Sequence, residues 1–219
     1  MLTQEARTLE PTPVTMGARG RLGDPRLPGV VLFGEAALFM TVIMLATSMA
    51  PGYDAAGGAI SDLGVIPGTA TLFNVSLVIV GLLNLVAGSL LALRPARPGL
   101  LVVYAAAGIG AIGAGLVPLD RGEAHGLFAL GAFVFFNVQA IASSRIVAGP
   151  MAGISVLAGV IGLLFVGIMV VGDAGDPAVF GPIGHGGAER MIVYPVMLWL
   201  LAFGGYLMGR QRMTEPRVD

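Results

Sequence analysis

Both histidines of this chain and several of its carboxylates lie in three polar stretches that separate long apolar segments. Asp62 lies in the first stretch, His125 at the end of the second, and Glu189 at the end of the third. A histidine beside a carboxylate is a common arrangement for general acid–base catalysis. We therefore take these three as candidate catalytic residues, with candidate binding residues nearby at Ser61, Asp120, His185 and Arg190.

A metal site is a second interpretation of the same residues. Zinc needs three or four ligands, which would have to come from His125, His185 and carboxylates such as Asp62, Asp120 and Glu189. The histidines do not share a helical spacing, so only the fold could bring them together. Acid–base chemistry without a metal is favoured, and we assign no metal ligand and no cofactor. Ser61 lies in no nucleophile-elbow sequence, which disfavours serine catalysis.

Each candidate also has a structural interpretation. Asp62 and Ser61 can cap a short helix or turn, Glu189 and Arg190 can form an ion pair, and His125 can simply reach water at a helix start. Glu35 is a separate case, because it lies inside the first apolar segment, where an ionisable side chain is costly. It is predicted to face the interior near Asn74, Asn84, Asn137 or Gln139, either as a structural polar contact or on a path for an ion or substrate.

The composition indicates an integral membrane protein. Hydrophobic residues make up 56% and charged residues 11% of the 219 residues, and the mean hydropathy is +0.87. Soluble domains carry about 25% charged residues, so most of this surface must face lipid. The net charge of -1 excludes nucleic acid as a partner.

Six apolar segments of about 20 residues each have the length needed to cross a bilayer as helices. They predict an all-α bundle of six transmembrane helices over 29–209, with a disordered tail at 1–28 and a short tail at 210–219. The segments cover roughly 29–50, 71–93, 99–119, 125–147, 151–171 and 190–209.

The loops indicate the orientation of this bundle. Ten of the 12 arginines lie on the side of the two tails, and only Arg121 and Arg190 lie on the other. The positive-inside rule therefore places both termini in the cytoplasm and the polar stretches outside. Small residues four apart, such as Gly110 with Ala114 and Gly205 with Gly209, predict close helix packing.

Short motifs in a fixed order carry a family resemblance. They are Ile60-Ser61-Asp62-Leu63-Gly64, Leu72-Phe73-Asn74, Pro118 ahead of His125, and Glu189-Arg190 before Trp199. In these the chain resembles the bacterial and archaeal domain-of-unknown-function family 998. More distantly, Ser61-Asp62 and His125 with Gly131-Ala132-Phe133 and Gln139 are similar to the DRAM-type six-helix family, which includes proteins of GPI-anchor lipid remodelling and autophagy modulation.

The resemblance implies a six-helix fold and a lipid-linked role, but no reaction. Ceramidase-type hydrolases use three histidines for zinc, and this chain has only two. Two functions stay open from the sequence. One is a lipid-modifying or lipid-remodelling enzyme of the cell membrane; the other is a non-catalytic scaffold or small transporter, with a membrane-protein partner or a second copy of the chain.

Overall fold

A computed structural model describes residues 24, 26–92 and 97–209. Within these residues lie six α-helices: α1 (Leu27–Met49), α2 (Ala70–Ala92), α3 (Pro98–Leu116), α4 (Glu123–Ser143), α5 (Pro150–Asp173) and α6 (Gly184–Gly209). All six are long and apolar enough to cross a membrane. The predicted all-α, multi-pass membrane fold is thereby confirmed. Most of the predicted tails, at 1–28 and 210–219, lie outside the described residues.

The helices form a closed ring in chain order. Each helix packs against the next, and α6 returns to pack against α1. The loops 50–69, 117–122 and 174–183 consequently lie at one end of the ring, which we call the loop face. The opposite end, which carries Leu27 and Gly209, we call the terminal face.

Glycines allow the closest helix approaches. Gly29 of α1 faces Gly204 of α6 so tightly that a Cβ on either residue would overlap the other's carbonyl oxygen. Gly81 of α2 and Gly108 of α3 meet in the same way. Gly205, for which the sequence predicts close packing, faces open space instead. The neighbouring residue, Gly204, makes the close contact instead, because its face of α6 is the one that packs against α1.

The last helix begins six residues earlier than the apolar pattern predicts, at Gly184 rather than at 190. His185, Glu189 and Arg190 therefore project from the first two turns of α6 and do not belong to a loop. A 3-10 helix precedes it at Pro177–Ile183. In the first loop, a second 3-10 helix at Ile60–Gly64 carries Ser61 and Asp62. These short elements bring the polar side chains to the loop face.

Candidate functional site

Two adjoining cavities open beneath the loop face. The outer cavity, of about 720 Å³, is lined by apolar side chains together with six polar ones, from Ser61, Asp62, His125, Asp173, His185 and Glu189. The inner cavity, of about 60 Å³, lies deeper between the helices and is walled mainly by apolar side chains such as Phe39, Phe73, Phe136 and Val196. Both cavities share the walls Ser61, His125, Ala129, Phe133, Glu189 and Ile192. Three polar side chains, from Ser61, His125 and Glu189, thus lie on the wall that the two cavities share.

His125 lies in the first turn of α4 and is only 4% exposed. Its Nδ1 lies 2.7 Å from the carbonyl oxygen of Val117, at the end of α3. A carbonyl can only accept, so we assign the proton of the neutral ring to Nδ1. Nε2 then carries the lone pair, and it is buried without a hydrogen-bond partner among the described residues. An unsatisfied acceptor at the boundary of two cavities is suited to receive a proton or a hydrogen bond from a ligand.

Glu189 lies in the second turn of α6 and is also 4% exposed. Its Oε2 accepts a hydrogen bond from the backbone amide of Ile60. The Glu189 carboxylate also interacts electrostatically with Asp62 and Arg190. Glu189 therefore ties the 3-10 helix that carries Ser61 and Asp62 to α6, and this fixes one wall of both cavities.

Asp62 combines the two roles that the sequence leaves open. Its Oδ2 accepts a hydrogen bond of 2.8 Å from the backbone amide of Ala59, which caps the 3-10 helix. The side chain is also half-buried in the lining of the outer cavity. Its second oxygen, Oδ1, makes no hydrogen bond to the described residues and remains available to the cavity. Asp62 can therefore cap the 3-10 helix and line the outer cavity at the same time.

His185 faces Asp173 across the outer cavity wall. Its Nε2 lies 3.2 Å from Oδ1 of Asp173, and its ring meets the edge of Phe180 with centroids 5.1 Å apart. His185 is one of the binding residues that the sequence predicts, whereas Asp173 is not among the predicted site residues. Asp173 was missed because it approaches His185 only through the fold of 174–183, which no local motif signals.

Arg190 is half-buried and holds the first loop in place. Its guanidinium donates hydrogen bonds to the carbonyl oxygens of Ala55, Gly58 and Gly186 and to the hydroxyl of Tyr53. Burial raises the pKa of the Tyr53 hydroxyl, and the hydrogen bond from Arg190 opposes this rise. Arg190 lines neither cavity, so its donors serve the loop rather than a ligand.

Two further predicted residues lie away from the cavities. Asp120 is exposed beside Arg121, with 3.9 Å between their charged atoms. Glu35 lies inside α1, in the half of that helix nearer the terminal face, and is 0% exposed. Neither of its carboxyl oxygens has a hydrogen-bond partner among the described residues. Of the partners that the sequence suggests, Asn84 and Gln139 bond to each other.

Among the described residues, no group of three or more histidine, cysteine, aspartate or glutamate side chains could hold a metal ion. The polar side chains at the two cavities form the candidate site. Its components are one histidine with a free ring nitrogen, two carboxylates on the wall beside it, and a histidine–carboxylate pair at the rim.

Comparison with known proteins identifies the family but no activity. No curated protein matches the chain, and no solved structure does. The model of a family described as "Protein of unknown function (DUF998)" matches residues 36–206, which cover α2 to α5, most of α1 and α6, and every residue that lines the two cavities. The chain belongs to the DUF998 family.

Proposed function

We propose that this protein is a lipid-modifying enzyme in which His125 transfers protons at the linkage between a lipid's head group and its chain. One observation carries the proposal. His125 lines both the outer cavity and the apolar inner cavity, and its buried Nε2 has no hydrogen-bond partner among the described residues.

The shape of the site supports an amphiphilic substrate. Asp62 and His185 line the outer cavity, whereas Phe39 and Phe73 line only the inner one. Ligand sites generally combine apolar walls with a few convergent polar groups that fix orientation. A lipid has the same division, with its polar head group on one side of the ester, amide or hydroxyl that enzymes modify. With the first carbons of the chain in the inner cavity, that group would lie beside His125.

The hydrogen bonding of His125 supports its role as a base. The carbonyl of Val117 holds Nδ1–H and stabilises the imidazolium that forms when Nε2 takes a proton. In the proposed step, Nε2 accepts the proton of a water or hydroxyl whose oxygen attacks the acyl carbon. The bond to the leaving group then breaks, and the leaving atom takes the same proton from Nε2. Glu189 acts as a positioning residue because it fixes Ile60 and the adjoining Ser61.

Orientation is part of the proposal. The arginine distribution supports a cell-membrane protein with its loop face outside and both termini in the cytoplasm. Because the chain contains no cysteine, the labelling of a single introduced cysteine shows on which side of the membrane that residue lies. A membrane-impermeant maleimide should label Asp176→Cys in intact cells, and Arg145→Cys only after lysis. The reverse pattern would contradict the orientation.

A transporter remains the alternative, and the buried Glu35 is the observation that favours it. Transport would need a polar route from Glu35 to the loop face. Phe39, one turn further along α1, lines the inner cavity, and Glu35 lines neither cavity. This arrangement supports the enzyme over the transporter.

The decisive experiment compares lipids before and after incubation with the purified, reconstituted protein. A total lipid extract of the source cells is the substrate, and mass spectrometry is the readout. The wild-type protein should change at least one lipid class, and His125→Gln should lose about 10²-fold or more of that rate at unchanged thermal stability. Asp120→Asn is the matched control and should retain the rate. An unchanged lipid profile with wild-type protein, or full activity of His125→Gln, would refute the proposal.

A further inference from the structure

The charged side chains that line the outer cavity are mostly acidic. Three carboxylates contribute to its wall, from Asp62, Asp173 and Glu189, and its basic groups are the two histidines. One of these, His185, is already paired with Asp173. The other, His125, offers an acceptor at Nε2 when its ring is neutral. The lining therefore presents hydrogen-bond acceptors and negative charge to a ligand in the outer cavity.

Among the described residues, no arginine or lysine side chain lines this cavity. The chain contains no lysine, and the two arginines of the loop face line neither cavity. Arg190 donates to three carbonyl oxygens and to Tyr53, and Arg121 is exposed beside Asp120. Phosphate is normally recognised by arginine, lysine or clustered backbone amides. A phosphate head group would find no such cation here and would face carboxylates.

A cation would find suitable partners in the same space. The Oδ1 atom of Asp62 is not used by the cap, because Oδ2 accepts the Ala59 amide. Asp173 likewise engages His185 through one oxygen, Oδ1. Independently of these carboxylates, His125 lines the same cavity with a buried Nε2 that lacks a donor, so the linkage that adjoins the ammonium can donate to it.

We propose that the ligand of this site is an amphiphile with a cationic, amine-bearing head group, bound with its ammonium in the outer cavity beside Asp62 and Asp173 and the adjoining part of its hydrocarbon in the inner cavity. This inference rests on the proposed function and names its substrate class. The carboxylates select the positive head group and disfavour anionic phospholipids by repulsion.

Binding of three probes to the full-length protein tests the inference without requiring turnover. The protein is reconstituted in nanodiscs of phosphatidylcholine, which carry no net surface charge. The probes are a long-chain primary amine, a monoacylglycerol and an alkyl phosphate of equal chain length, and microscale thermophoresis gives each Kd. The amine should bind about tenfold or more tightly than the alkyl phosphate, with the monoacylglycerol between them.

Two variants localise the effect. Asp62→Asn keeps an oxygen for the Ala59 amide but removes the charge, so it should weaken amine binding by about threefold to tenfold and leave the monoacylglycerol unchanged. Asp120→Asn removes an exposed charge from the same face and should leave all three affinities unchanged. An equal effect of both variants would indicate general surface attraction and overturn the inference.

The failures of the two proposals are distinguishable. Equal affinity for all three probes, or tighter binding of the phosphate, would overturn the cationic head group while leaving an amphiphile site in place. Failure of all three probes to bind would contradict the proposed function itself.

Discussion

Replacement of Asp62 separates its structural role from its role in the cavity. Asp62→Ala removes the acceptor that caps the 3-10 helix, whereas Asp62→Asn keeps an oxygen that the Ala59 amide can reach. Asp62 is the third residue of this helix and accepts from the amide of Ala59 at its start, which an asparagine oxygen can also do, and loss of such a hydrogen bond costs about 1 kcal/mol. We therefore expect only the alanine variant to lose stability.

The expected loss is measurable. A cost of about 1 kcal/mol changes the folding equilibrium about fivefold and lowers Tm by roughly 2–4 °C in a chain of this length. Thermal unfolding in detergent, followed by circular dichroism, should show that shift for Asp62→Ala and none for Asp62→Asn. Hydrogen exchange of the amides at 59–65 should rise only in the alanine variant, because the lost contact is local.

Lipid conversion should not separate Asp62→Ala from Asp62→Asn in the way that stability does. If the carboxylate charge serves the ligand, lipid conversion should fall in both variants, including the asparagine variant of normal stability. An asparagine variant with normal conversion would remove Asp62 from the functional site and leave it as a cap. Equal destabilisation by both substitutions would refute the assignment of the Ala59 hydrogen bond as the cap.

Three further predictions concern the framework around the site. Gly186→Ala should lower Tm and expose the first loop to protease, because the new Cβ would collide with the carbonyl oxygen of Gly58; Gly205→Ala in the same helix faces open space and should leave both measurements unchanged. Asn84→Leu and Gln139→Leu break a reciprocal amide pair, so the double variant should lose less stability than the sum of the single variants, by about 0.6–1.7 kcal/mol in denaturant unfolding; additive losses would show that the pair contributes nothing. Hydrogen bonds from two backbone amides lower the pKa of Asp54, so its contribution to loop order is present above the ordinary aspartate pKa of about 3.9 and is lost as pH falls through the lowered value. The protection of the amides at 54–58, measured against their intrinsic exchange rates at each pH, should fall with acid in the wild type, and an equal fall in Asp54→Asn would contradict this origin.

Length and hydropathy predict the six helices because the bilayer imposes both on any membrane-crossing segment. The same reasoning places the start of α6 too late. Gly184 to Arg190 includes histidine, glutamate and arginine, which a search for apolar residues excludes. These side chains are accommodated because the first loop supplies partners to Glu189 and Arg190. Those partners are far away in sequence and leave no periodic signal.

The candidate site could be predicted as a set of residue types but not as an arrangement. His125 and Asp62 are visible in the sequence because polar residues stand out beside apolar segments. Nothing local shows that Val117 fixes the tautomer of His125, or that Asp173 reaches His185. Asp120 shows the opposite error. The sequence groups its carboxylate with the candidate site, but in the structure the side chain is exposed beside Arg121.

The contacts between the first loop and α6 have a consequence for biogenesis. Ile60 and Glu189 are 129 residues apart, and Ala55 and Arg190 are 135 apart. During insertion, the loop and α1 must wait for the final helix before they gain these partners. A nascent chain halted before α6 should therefore present an unanchored first loop that protease cleaves readily, and protection should appear only once α6 has entered the membrane. Equal protection before and after α6 would show that the loop orders itself independently.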